Sequence, residues 1–127
     1  AIPVKEISRI EISKRGPVIL LKKEDGKWSV SPEGYRADPN MVRDMLDVIN
    51  SLKLTALVSE AKDYGRYGLD DNDRIVVKAW AGDKLKREFE IGKTASTYRH
   101  TFVKIAGDYR VYHARGNFRN SFDKTIS

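Results

Sequence analysis

Few side chains in this chain combine the type and spacing that chemistry requires. Its histidines are His100 and His113, and it has no cysteine. Disulfides, thiolate metal sites and cysteine nucleophiles are therefore excluded, and a zinc site would have to recruit carboxylates from an acid-poor stretch. Asp70, Asp71 and Asp73 crowd one loop. DDNDR nevertheless lacks the glycine turn and terminal glutamate of a helix-loop-helix calcium site, and it reads as a hydrophilic turn. No glycine-rich phosphate loop, serine elbow or dinucleotide fingerprint is present, since GRYG and GDK lack the spacing and context. The expectation is no catalytic residue, no cofactor and no metal, with an enzyme ranked third among the readings below.

One pattern does point to binding. Tyr98, Arg99, Phe102, Lys104, Tyr109, Arg110 and Arg115 interleave rings with positive charge, as surfaces for single-stranded nucleic acid do. The formal net charge is +6, and residues 93 to 127 carry 7 basic and 2 acidic side chains. A segment so charged steers anionic partners such as nucleic acid, lipid headgroups or an acidic protein face. Arg99, Lys104, Arg110 and Arg115 are accordingly the candidate anion or partner surface. The plainer reading is a solvated face whose rings are ordinary strand formers.

Those residues must be positioned by a fold, and the clearest element is ADPNMVRDMLDVINSL, residues 37–52. Asp38 is placed to accept from the free amides of a first helical turn, and Pro39 sits where its missing N–H costs nothing. Val42, Met45, Leu46, Ile49 and Leu52 recur at three- and four-residue steps, which predicts an amphipathic helix over about 38–52 with one apolar face. That face needs a sheet beneath it.

Strands are predicted around the helix. Ile10 and Ile12 alternate, Val18 to Lys22 is a short apolar run suited to cover on both faces, and Lys27 to Val30 returns as its partner with Trp28 on a sheet face. Leu54 to Val58 reads as a strand or extended arm. A short helical turn near 61–66 ends at Gly68, whose left-handed conformation would let Leu69 fold back. Arg74–Ala81 and Leu85–Ile91 form a hairpin in which Val77 faces Phe89, Ile75 faces Ile91 and Lys78 meets Glu88, with Trp80 opposite Lys86 on the wet side. A second hairpin turns at Gly107 and Asp108, bringing Val103 to Tyr112 and Phe102 to His113. Phe118, Phe122 and Ile126 predict a C-terminal helical turn. The expected class is α+β, with antiparallel hairpins packed on one main helix.

A chain of 127 residues is of ordinary size for one domain, here taken as residues 1–127. No apolar run approaches the roughly 20 residues needed to span a bilayer. AIPVKEIS is neither an initiator methionine nor a signal peptide, so the chain reads as a fragment of a longer protein.

The succession DGKWSVSP (25–32), AD at Ala37 and Asp38 opening the helix, YGLD (67–70), IG at Ile91 and Gly92, and VY at Val111 and Tyr112 resembles the bacterial family called domain of unknown function 4340. The resemblance runs over nearly the whole chain, with Trp28, Asp38, Tyr67, Gly68 and Leu69 as its structural marks. One departure is Asn72 and Asp73 where the family often has proline after YGLD. The resemblance implies a mixed α/β fold in proteins often anchored to the membrane and exposed outside the cytoplasm. Some of these are linked to gliding motility or are auxiliary to ABC transporters. It implies no established activity. The first reading is thus a noncatalytic extracytoplasmic interaction domain whose partner is another protein of a membrane complex. The second is a nucleic-acid or other polyanion-binding module using the basic C-terminal hairpin.

Overall fold

A computed structural model of the chain describes residues 6–14, 18–24, 26–31, 35–96, 99–119 and 122. Its elements in order are β1 (Arg9–Ser13), β2 (Val18–Glu24), β3 (Lys27–Ser31), β4 (Tyr35–Arg36), α1 (Pro39–Ser51), β5 (Leu54–Ser59), a 3₁₀ turn (Tyr64–Tyr67), β6 (Ile75–Ala81), β7 (Lys84–Thr94), β8 (His100–Ile105) and β9 (Val111–Arg115). The strands form one nine-stranded sheet in the order β4-β3-β2-β1-β6-β7-β8-β9-β5. Every neighbouring pair is antiparallel.

This corrects the expected α+β arrangement of hairpins packed on one main helix: the fold is dominated by a continuous sheet. β1 joins the β2–β3 hairpin to the β6–β7 hairpin, with Ile12 opposite both Ile19 and Val77. β5 crosses over to close on β9. Fusing the hairpins satisfies the backbone groups that separate hairpins would leave on open edges. Dimensions point the same way. A 13-residue helix is about 20 Å long, whereas nine strands span about 38 Å, so α1 covers only part of one face.

On the helix side, Val42, Met45 and Ile49 are buried against Ile10, Ile12, Leu21, Val77, Phe89 and Ile91. Each such side chain is worth roughly 1.5–3 kcal/mol as an upper estimate. Leu46 and Leu52, placed on the same stripe by spacing, are only partly buried. Phe118 and Phe122 continue the cover, with the Phe122 ring edge-on to Phe89 at 6.4 Å. Arg119 and Phe122 are helical, in keeping with a C-terminal turn, while Ile126 lies outside the described residues.

The predicted registers of the two hairpins hold through most of their length. Ile75 faces Ile91, Val77 faces Phe89 and Lys78 faces Glu88. Beyond Ala79 a bulge shifts Trp80 onto Leu85, so the connection tightens to Gly82 and Asp83, with φ of +60° at Gly82. Trp80 lies under the Arg9 guanidinium at 4.2 Å rather than a lysine stem, and its Nε1 donates to Glu11 at 2.8 Å. In the second hairpin, Val103 faces Tyr112 and Phe102 faces His113, as expected. Cover on both faces of β2 is not observed; its buried residue is Leu21. Tyr98 lies outside the described residues.

Candidate functional site

The groove between β3 and α1 starts from local capping chemistry. Asp38, extended at φ −61° and ψ 118°, accepts at its side chain from the Asn40 amide at 2.9 Å, and Pro39 opens the helix. The Ala37 amide donates to the Trp28 carbonyl at 3.0 Å, which ties the helix entry to β3. Because Val30 opposes buried Leu21, Trp28, two residues away, shares the helix side of the sheet. Trp28, Pro39, Val42 and Leu46 therefore converge on an open groove of about 310 Å³. Lys27, Arg36, Arg43 and Asp47 also line it, although the strand register turns the Lys27 and Arg36 side chains, with Ser29, to the face away from α1. Arg43 donates to Asn40 at 3.0 Å, and Lys27 stands opposite Glu24 across the β2–β3 pair.

This groove was not legible as a site in the sequence, where Trp28 reads as a sheet-face residue and Leu46 as core. The available signal was the edge of the apolar stripe. Leu46 sits one residue beyond the Val42–Met45–Ile49 line, next to the Arg43 side of the helix. A leucine there meets the rim rather than the centre of the core.

The basic C-terminal residues are not gathered on one surface. Lys104 is 18% exposed, and its Nζ lies 3.5 Å from Glu90, which also takes Arg74 at 3.2 Å. The Lys104 ammonium stands 5.7 Å from the Tyr64 ring, on the face away from α1. Arg110 instead stands over Tyr112, a residue packed against the core on the helix side. Its Nε and Nη2 donate to the two carboxylate oxygens of Asp108 at 2.9 and 3.0 Å. The Arg110 amide and the Tyr112 hydroxyl also donate to that carboxylate. These bonds, the Arg110 side chain first, hold Asp108 well below the usual carboxylate range. Arg115 is exposed at the end of β9 opposite His100, and Arg99 is exposed just before β8. The register thus puts Arg115 with Lys104 and sets Arg110 on the opposite face.

The face away from α1 is an aromatic layer. Phe102 touches Tyr67 at 4.9 Å and His113 at 5.1 Å, and His113 stacks on His100 at 5.0 Å. Burial first, then the neighbouring His100, holds the His113 imidazole below its ordinary value. Among the described residues no three metal-ligating side chains come together. Asp70 accepts from the Asp73 amide at 3.0 Å, so the acidic loop forms the hydrophilic turn that its sequence predicts.

The YGLD residues dock on this layer. Gly68 takes φ +70° and ψ 27°, ending the 3₁₀ turn as expected, and the Leu69 amide donates to the Tyr64 carbonyl at 2.9 Å. Leu69 is buried beside Gly92, so the YGLD and IG marks lie against each other. Among the described residues no helix is long and apolar enough to cross a membrane.

No match was found among curated proteins or among solved structures. The family model described as "Domain of unknown function (DUF4340)" matches residues 28–127, leaving out β1 and β2 although both strands lie within the sheet. With Trp28, the helix cap and the docked YGLD and IG marks all inside that span, the chain belongs to the DUF4340 family.

Proposed function

We propose that the domain is a noncatalytic interaction module, held outside the cytoplasm, that docks another protein of a bacterial membrane complex through the groove between β3 and α1. The observation that carries this reading is the groove itself. It exposes an apolar floor of Trp28 and Leu46, with the Arg43 side of α1 along its rim. Apolar floors rimmed by charge are the usual anatomy of protein contacts, with aromatic anchors carrying the affinity. The extracytoplasmic setting and the link to a transport or motility complex rest on the family resemblance of the sequence marks.

The test is site-specific photocrosslinking in cells, with benzoylphenylalanine replacing Arg43 in one variant and Asp83, in the distant β6–β7 turn, in another. The expected result is one defined adduct from position 43, none from position 83, and loss of the adduct when Leu46→Glu is added. Equal adducts from both positions, or none from position 43, would refute the reading. Protease access to the domain in spheroplasts tests its location separately.

A further inference from the structure

On the face of the sheet away from α1, a second cavity of about 450 Å³ lies between the 3₁₀ turn and strands β7 and β8. Tyr64, Gly65 and Leu69 line its turn side, and Glu90 and Lys104, opposite each other in the β7–β8 register, line its sheet side. Lys62, Asp70, Asp71 and Arg74 complete the wall, so three cations meet three carboxylates. Arg74 is fully engaged, with Nη1 at 3.2 Å from Glu90 and Nη2 at 3.3 Å from Asp71. Lys104 is not. Its side chain is only 18% exposed, yet its ammonium stands 3.5 Å from Glu90 and makes no other ionic contact among the described residues. A charge-assisted hydrogen bond would bring the two to roughly 2.7–2.9 Å. Asp70 also keeps an acceptor free: Oδ1 takes the Asp73 amide at 3.0 Å, while Oδ2 has no donor among the described residues. Lys62 adds strained backbone at the same wall. It is the non-glycine residue with positive φ among those described, at +62°, and its ammonium stands 5.5 Å from the Tyr109 ring.

We infer that this cavity binds a small zwitterion of amino-acid chemistry, its carboxylate held by the Lys104 and Lys62 ammoniums and its own ammonium by Asp70. A covered ammonium with donors to spare is an exception among folded proteins, and a ligand oxygen supplies what Glu90 does not. Walls of both signs select against a polyanion, which would meet Asp70, Asp71 and Glu90, and against a plain cation, which would meet the lysines. The volume lies within the range of small-molecule sites. The floor is fixed in advance: the Tyr64 hydroxyl donates to the Tyr109 carbonyl at 2.8 Å, which holds the ring 5.7 Å from the Lys104 ammonium. Gly65 leaves the space open, since a Cβ there would approach nothing closer than Asp70 Oδ2 at 3.7 Å. Left-handed backbone at a lysine is unfavourable, and such strain gathers where ligands are clamped. The cavity and the β3–α1 groove lie on opposite faces of the sheet, so this inference stands or falls apart from the docking reading.

The test is titration of the ¹⁵N-labelled chain with glycine and with γ-aminobutyrate, zwitterions of short and long span, up to about 10 mM, tenfold above a millimolar Kd. Butyrate and propylamine, each carrying one of the two charges, serve as controls. The Gly65 and Leu69 amide resonances should shift saturably with at least one zwitterion and with neither control. Lys104→Met keeps the apolar stem and leaves Glu90 its Arg74 partner, and Asp70→Asn keeps the acceptor for the Asp73 amide. Each should weaken binding by about tenfold or more, as loss of one charge-assisted contact does. Gly65→Leu fills the cavity without changing a charge and should abolish the shifts while the chain stays folded. Absence of a saturable shift with either zwitterion, an equal response to butyrate, or undiminished binding by a folded Gly65→Leu chain would overturn the inference. If Gly65→Leu does not fold, Lys104→Met and Asp70→Asn decide, and wild-type binding by both would overturn it.

Discussion

The carbonyl oxygen of Tyr67 occupies the space that a side chain on Gly92 would need. A Cβ built at Gly92 would overlap that oxygen and come within 2.9 Å of Leu69 Cγ and 3.1 Å of the Phe102 carbonyl. The 3₁₀ turn can lie on β7 only because residue 92 has no side chain, which explains physically why a YGLD turn and a distant glycine go together. Gly92→Ala should therefore destabilise the domain by roughly 1–3 kcal/mol or more, as overpacking does. Denaturant midpoints check this, and a near-neutral result would mean that the turn lifts away at little cost.

Gly68 and Gly82 separate backbone strain from crowding. Both have positive φ, +70° and +60°. A Cβ at Gly82 meets nothing within 4 Å, whereas one at Gly68 meets the Lys93 amide nitrogen at 2.8 Å. Gly82→Ala should cost about 1–2 kcal/mol from the left-handed backbone alone, and Gly68→Ala should cost measurably more. Equal costs in urea titrations would show that the Lys93 contact adds nothing.

Along α1 the buried and groove-lining positions should respond differently. Met45 is fully buried, Leu46 only partly, and Asp47 is exposed. Met45→Ala should lose roughly 2–5 kcal/mol, Leu46→Ala distinctly less, and Asp47→Ala almost nothing. Equal losses at Met45 and Leu46 would place Leu46 in the core and close the groove.

His113 predicts a mild acid sensitivity. Its folded-state pKa is lowered by burial and by His100, while the unfolded chain takes up this proton near the ordinary value of about 6.5. Between the two values the unfolded state binds more protons, so stability is full above about pH 6.5 and falls as the pH drops through the folded value. His113→Phe should flatten stability between about pH 7 and pH 5 while keeping a ring against Phe102. An unchanged slope would acquit His113.

Asp108 acts in a lower window. Its folded-state pKa is depressed, first by the Arg110 side chain, so its contribution is present above the unfolded value of about 3.9 and is lost on further acidification. Asp108→Asn should reduce the loss of stability below about pH 4. Identical acid titrations of the two proteins would contradict it.

Signals that act across a few residues were legible in the sequence. Asp38 and Pro39 start α1, and Gly68 stops the 3₁₀ turn, because each satisfies or frees backbone groups within its own turn. Hairpin registers were readable for a similar reason. A short turn and alternating side chains leave one pairing that separates apolar from charged residues, as Val77 with Phe89 and Val103 with Tyr112 illustrate.

Which hairpin joined which was decided only by tertiary structure. β1 pairs with β6 and β5 with β9 across long stretches of chain, and any free strand edge offers the same backbone donors and acceptors. The choice was made by side chains far apart in sequence, such as Ile12 over Val77. The basic residues were separated in the same way. Pairing placed Lys104 beside Glu90 and Arg110 beside Tyr112 on opposite faces, so a charge excess along the chain did not become one charged surface. The groove has the same origin: Trp28 and Leu46 acquire a common purpose only when the Asp38 cap lays α1 against β3.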